Sequence, residues 1–285
     1  MNPRDGGAAL KKALELDPQN YRARIELAAC YEDQGKFDEA AAEFERVVAI
    51  DPNNGGARCG LGRVYRRQGR SSEAEPALRK ALALNPQDGC ARFELGALYE
   101  EQRRFQQAAE ELERGIAINP SQGWAHCKLG RIYRRLGRPS EAEAALSKGL
   151  ELDPQSGWAR VELGVFYEDQ NRFTEAAAEF ERAIAIDPND AGAHCGLGRI
   201  HQRRGRLSDA EAAFKVALAV HPRMDRAYVE LGALYKDQDR FTEAEAACQK
   251  AIAIGPRNGA SKHSPARNAR RRGGVQGSHI HRSEE

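Results

Sequence analysis

Two tryptophans, Trp124 and Trp158, stand 34 residues apart with Arg131 between them. An exposed indole beside a guanidinium is a common anchor for a macromolecular partner. Arg63, Arg131 and Arg199 recur every 68 residues, and arginines can hold carboxylates through bidentate bonds. Such residues suit binding. Residues for catalysis are not arranged in this way. There is no phosphate-cradling Gly loop, nucleophile elbow or His-Glu-x-x-His. Gly60-Leu61-Gly62 and Gly196-Leu197-Gly198 lack the third glycine of a dinucleotide fingerprint. His126-Cys127 and His194-Cys195 resemble metal pairs, but neighbours on a helix diverge by about 100°. No cofactor, metal, small-molecule substrate or catalysis is expected.

Composition narrows the class of element that could position these side chains. The chain has 285 residues, of which 41% are hydrophobic and 30% charged, and its mean hydropathy is −0.70. No apolar run is long enough to span a bilayer, and the first residues, MNPRDGGAALKK, lack the apolar centre of a secretory signal. Only 7% of residues are aromatic, and abundant Ala and Glu favour helix. The net charge of +2 is uneven. Residues 259–285 carry six basic and two acidic residues, leaving 38 basic and 40 acidic in the rest. A nearly neutral body argues against nucleic acid as partner, which calls for a basic domain.

A period of 34 organises the chain. Pro18, Pro52, Pro86, Pro120, Pro154, Pro188, Pro222 and Pro256 mark it. Seven complete units begin at Tyr21, Gly55, Gly89, Gly123, Gly157, Ala191 and Asp225, preceded by half a unit in 1–20. Apolar and small residues recur at helical spacing twice per unit, as in Leu129, Gly130 and Tyr133 and then Ala142, Leu146 and Leu150. Gly35, Gly69, Gly137, Gly205, Asn171 and Asp239 suit the left-handed turn between two helices; Arg103 is the exception. Asp38, Ser72, Ser140, Thr174, Ser208 and Thr242 are expected to cap the second helix. Capping boxes are expected at Ser72/Glu75, Ser140/Glu143, Ser208/Glu211 and Thr242/Glu245. Lys36, Arg70, Arg104, Arg138, Arg172, Arg206 and Arg240 follow each turn and are read as cations favouring a helix C-terminus.

The units resemble tetratricopeptide repeats. Leu-Gly-x-x-Tyr stands at Leu61, Leu95, Leu129, Leu163 and Leu231, and Ala-x-x-x-Phe or its Leu form at Ala40/Phe44, Ala74/Leu78, Ala108/Leu112, Ala142/Leu146, Ala176/Phe180 and Ala210/Phe214. The early Trp of that family is absent; Arg24, Arg58, Arg92, His126, Arg160, His194 and Tyr228 replace it. The resemblance covers residues 21–258 and implies an all-α, right-handed superhelical solenoid of antiparallel helix pairs. Each unit would bury its apolar face only by stacking on its neighbours. Residues 259–285, rich in Gly, Ser and Arg, read as a disordered basic tail.

The resemblance also implies a concave groove lined by one stripe of the first helices. That stripe contains Trp124, Cys127, Arg131 and Arg135; Arg63 and Arg67; Phe93; Trp158 and Val161; and Arg199. The Lys and Asn clamp known in the family for peptide carboxylates is not present at the matching places. A protein or peptide partner of acidic or mixed charge is therefore expected, and the chain reads as a non-catalytic cytoplasmic scaffold. Two other roles stay open. One is a substrate-holding array of a glycosyltransferase-type enzyme; the other is self-assembly through uncapped solenoid ends.

A second period, of 68, alternates acidic with basic pairs: Glu32-Asp33, Arg66-Arg67, Glu100-Glu101, Arg134-Arg135. These pairs either fix register between neighbouring first helices or serve a ligand. Cys59, Cys127 and Cys195 share that period. Equivalent residues two units apart lie beyond disulfide reach, given helix spacings of about 8–10 Å. All six cysteines then read as groove or core residues of a reducing compartment.

Overall fold

The computed structural model describes residues 3–255. They form helices throughout: α1 Pro3–Leu16, α2 Tyr21–Asp33, α3 Phe37–Ile50, α4 Gly55–Arg67, α5 Ser71–Leu84, α6 Gly89–Glu101, α7 Phe105–Ile118 and α8 Gly123–Arg135. There follow α9 Pro139–Leu152, α10 Gly157–Asp169, α11 Phe173–Ile186, α12 Ala191–Arg203, α13 Leu207–Val220, α14 Asp225–Asp237 and α15 Phe241–Ile254. Even-numbered helices open each repeat and pack most closely on the odd-numbered helix that follows. Each pair then leans on the next, giving the right-handed superhelical solenoid that the resemblance implies. The basic tail lies outside the described residues.

The turn inside each pair is fixed by backbone chemistry. Gly35, Gly69, Gly137 and Gly205 have φ between +70° and +73°, and Arg103, Asn171 and Asp239 have φ of 60°, 59° and 59°. The residue after the turn donates its N–H back to the first helix: Arg70 to the Tyr65 carbonyl at 2.8 Å and Gly69 to Arg66 at 2.9 Å, a Schellman closure. This compact turn starts the second helix earlier than the cap pattern suggests. Phe37, Ser71, Phe105, Pro139, Phe173, Leu207 and Phe241 are the first residues, and no side chain caps these helices. The expected capping boxes therefore do not form; their Ser and Thr residues lie within the first helical turn. The true side-chain caps precede the first helices. Asn20, Asn54, Asp88, Ser156 and Asp190 each accept from the N–H three residues on.

The recurrent cation after the turn also has a different role from the one expected. Arg70, Arg104, Arg138, Arg172 and Arg240 occupy the N-cap of the second helix. Each lies 4.1–4.5 Å from the ring centre of its own repeat's tyrosine: Tyr65, Tyr99, Tyr133, Tyr167 or Tyr235. Where His201 replaces tyrosine, Arg206 sits 2.6 Å from its Nδ1. Stacking on an aromatic face holds the cation at a helix end whose dipole would repel it.

The core is a ribbon between the two helix layers. Leu78, Leu112, Leu146, Phe180 and Phe214 are fully buried at one repeat position. Each is accommodated by a small residue on the first helix. A Cβ on Gly130 would lie 2.6 Å from Leu146 Cγ and 3.0 Å from the Ala142 carbonyl, so this approach requires glycine. The position of the family's Trp is taken over by polar bonds. Arg24, Arg92 and Arg160 reach Glu43, Glu111 and Glu179 at 2.7, 2.9 and 3.0 Å, and His126 and His194 lie 3.0 and 2.9 Å from the Pro120 and Pro188 carbonyls. A cation with a carboxylate and a linker carbonyl thus ties the entry of the first helix to the rest of its repeat.

Candidate functional site

The predicted stripe lies on the first helices α4, α6, α8, α10 and α12, whose parallel stacking brings residues 31 apart into contact. Phe93 on α6 meets Trp124 on α8 with ring centres 4.9 Å apart at 67°. Trp124 is 45% exposed and Trp158 38%. Both indoles are held in place. Trp124 Nε1 donates to Gln122 Oε1 at 3.0 Å, and the Arg131 guanidinium lies 5.5 Å from the Trp158 ring centre. Beside them Ala97, Glu100, Glu101, Lys128, Arg131 and Arg135 line a depression of ≈ 370 Å³. Burial pulls the Lys128 ammonium below its ordinary range.

The stripe divides by exposure. Cys127 is buried against Gly149, and burial pushes its thiol up to about 12. Phe93 is buried on Gly115, and Val161 is half-buried beside Phe180 and Ile200. These three therefore offer little area to a ligand, and Phe93 supports the Trp124 ring from below.

The arginines also divide. Arg63 holds Glu32 through two bonds of 2.9 and 2.5 Å, which raise its affinity for its proton further. Arg131 reaches Glu100 at 2.7 Å and Glu162 at 3.4 Å. Arg199 is buried; burial opposes its charge, but bonds of 2.9 and 2.5 Å to Glu168 prevail and raise its pKa. By contrast, Arg67 and Arg135 are exposed. Arg67 lies 5.9 Å from the Phe37 ring centre, and among the described residues no carboxylate pairs with Arg67 or Arg135. Arg203, at the equivalent place two repeats on, is likewise exposed and, among the described residues, unpaired. It was absent from the predicted stripe, although its spacing of 68 from Arg135 was the available signal.

Models of the tetratricopeptide repeat match residues 59–123, 127–191 and 195–259, and a second such model matches residues 2–54. A comparison with curated proteins returns no match. Among solved structures the chain is similar to a tetratricopeptide repeat protein from Parabacteroides merdae ATCC 43184. The two are 22% identical over 83% of this chain and 94% of that one, with a TM-score of 0.71. A chain of the APC/C hetero-tetramer Cut9-Hcn1 is 19% identical, with a TM-score of 0.72, and the match covers 88% of this chain. It spans only 49% of that protein's length. YrrB, described as a tetratricopeptide repeat protein with an unusual peptide-binding site, is 24% identical over 65% of this chain and 95% of its own, with a TM-score of 0.53. At these identities the likeness concerns the fold. The family matches span most of the sequence, the helix pairs fall in register with them, and the chain belongs to the tetratricopeptide repeat family.

Proposed function

We propose that this chain is a non-catalytic cytoplasmic scaffold that binds an extended peptide or protein segment along its first-helix face, with Trp124 and Trp158 as anchors. The carrying observation is the pair of half-exposed indoles at equivalent places in adjacent repeats, each held by a polar neighbour. Large rigid rings with an adjacent guanidinium contribute strongly to an interface because little side-chain freedom is lost on binding. Charge selects the partner. Arg63, Arg131 and Arg199 are committed to internal carboxylates, so the cations left for a ligand are Arg67, Arg135 and Arg203. They favour a segment with acidic residues beside apolar ones.

The two indoles are the only tryptophans in the chain, so intrinsic fluorescence reports the site directly. A displayed peptide library selected on the full-length protein supplies the probe, and the selected peptide is titrated with emission as readout. A blue shift is expected. Trp124→Ala with Trp158→Ala, followed by peptide anisotropy, is expected to weaken binding at least about tenfold, as for truncated anchors. Unchanged affinity in a double variant of native helicity overturns the reading. Replacing Arg67, Arg135 and Arg203 with Gln is expected to flatten the salt dependence of binding.

A further inference from the structure

Cys59, on α4, and Cys90, on α6, stand 31 residues apart. This is the same separation as Phe93 and Trp124, whose rings touch across the next joint at 4.9 Å. The equivalent pairs at other joints are Ile25/Gly56, Cys127/Trp158, Val161/Gly192 and Cys195/Arg226. Only the joint between the second and third repeats sets thiol against thiol. There α4 packs against α6, and the two cysteines lie close enough for each to act on the other's ionisation. A disulfide needs Cα atoms within about 7 Å. The sequence comparison of Cys59 with Cys127 and Cys195 concerned residues two repeats apart and missed this adjacent pair.

We infer that Cys59 and Cys90 are an oxidant-sensitive dithiol, which hydrogen peroxide closes into a disulfide stapling the second repeat to the third. The two thiols divide the work by position. Cys59 is buried, at 5% exposure, while Cys90 is exposed and meets the oxidant. The neighbouring Cys59 pulls the Cys90 thiol down from its usual range. Arg63 assists; burial and the carboxylates of Glu94 and Asp88 oppose. The adjacent Cys90, with burial and the charges of Asp88 and Glu94, keeps the proton on Cys59. Cys90 is thus the attacking thiolate and Cys59 the resolving thiol.

The chemistry balances. The Cys90 sulfur attacks one peroxide oxygen and the O–O bond breaks. The departing hydroxide takes a proton and leaves as water, and Cys90 becomes a sulfenic acid. The Cys59 sulfur, giving up its proton, attacks the Cys90 sulfur and expels the second water. Two thiols and one peroxide become one disulfide and two waters, with two electrons passing from sulfur to oxygen. A cellular thiol such as glutathione reverses it by exchange.

The test uses the reduced full-length protein, equimolar peroxide and non-reducing tryptic mapping, and it requires no groove ligand. Peptide 59–63 is expected linked to peptide 81–92, two hydrogens lighter than their sum and released by dithiothreitol. Cys248 is also exposed and serves as the internal standard; Cys90 is expected to react several-fold faster, because Cys59 and Arg63 favour its thiolate. In Cys59→Ser the Cys90 sulfenic acid is expected to persist and be trapped by dimedone. A map without the linked pair, in which Cys90 and Cys248 are oxidised at equal rates, overturns the inference.

Discussion

Two kinds of joint alternate along the solenoid. Where an odd repeat meets the following even one, a single clasp crosses between first helices: Glu32–Arg63 at 2.5 Å, Glu100–Arg131 at 2.7 Å and Glu168–Arg199 at 2.5 Å. Where an even repeat meets the following odd one, the polarity reverses and the bonds spread. Arg66 reaches Glu94 at 3.0 Å and Glu101, and Arg134 reaches Glu162 at 3.6 Å and Asp169 at 2.7 Å. The second helices add Glu75–Arg104, Glu143–Arg172 and Glu211–Arg240 at 2.8, 2.7 and 2.6 Å. Odd repeats carry Ala41, Ala109 and Ala177 where those glutamates stand, so the other joint lacks this brace. Two odd repeats in succession would set a clasp glutamate against Ala29, Ala97 or Val165, which occupy the arginine's place. The 68-residue period therefore follows from complementarity: the smallest unit able to stack on a copy of itself is a pair.

The largest test of this contrast is Arg199→Ala. Both partners are about nine-tenths buried, at 10% and 12% side-chain exposure. Removing one leaves an uncompensated carboxylate, which is expected to cost about 3 kcal/mol. Arg134→Ala, whose partner Asp169 is 49% exposed and whose other partner Glu162 keeps Arg131, is expected to cost about 1 kcal/mol. Urea unfolding with hydrogen exchange on α10 and α12 measures both, and equal costs would erase the distinction between joints.

Acid should next act on the brace of the last joint. Bonds from Arg240 and Lys215 hold the Glu211 carboxyl down at about 2, against 4.5 ordinarily. Because the folded-state value is depressed, the stabilisation is complete above the unfolded value. It drains away as pH falls from about 4.5 towards 2. Protection of α14 amides should fall across that window in the native chain and be flat there in Glu211→Gln. A parallel fall in the variant would remove Glu211 as the cause.

The helix pairs, the left-handed turns and the buried leucine and phenylalanine positions were legible because each repeats with one fixed spacing. The second-helix caps were misread because Ser72/Glu75 satisfies a local pattern, while the Schellman closure at Gly69 and Arg70 decides where α5 begins. The cations after each turn were assigned to a helix end because their tyrosine partners lie five residues back, across a chain reversal. The stripe of first-helix residues was legible as a face. Its exposure was not, since burial of Arg199 depends on Glu168 in the neighbouring repeat. The diagonal of 31 residues, which joins Cys59 to Cys90 and Arg63 to Glu32, is a product of stacking and has no signature within one unit.

The sixth joint offers a gain. Gln202 stands where Arg66 and Arg134 stand in the other even repeats, and it reaches Asp237 only at 3.4 Å. Glu230 occupies the place of Glu94 and Glu162. Gln202→Arg is expected to restore the spread network and stabilise the last repeat by about 1 kcal/mol, the upper end for a partly exposed pair. The effect should shrink in high salt. A gain that salt leaves untouched would point to packing of the longer side chain instead.

The smallest effect lies in the hairpin turn, where the two kinds of repeat also differ. The complete even repeats use Gly69, Gly137 and Gly205, but the odd ones use Gly35, Arg103, Asn171 and Asp239. Arg103 holds φ of 60° with an exposed side chain. A side chain costs about 1–2 kcal/mol in that conformation, while glycine loses about 0.5–1 kcal/mol more chain entropy on folding. Arg103→Gly is thus expected to stabilise the third repeat by about 0.5 kcal/mol, read as a shift in urea midpoint with unchanged slope. Gly137→Arg, the reciprocal exchange, is expected to cost a similar amount. If both substitutions destabilise, each turn is fitted to its own repeat, and the joints are not the only place where odd and even units have diverged.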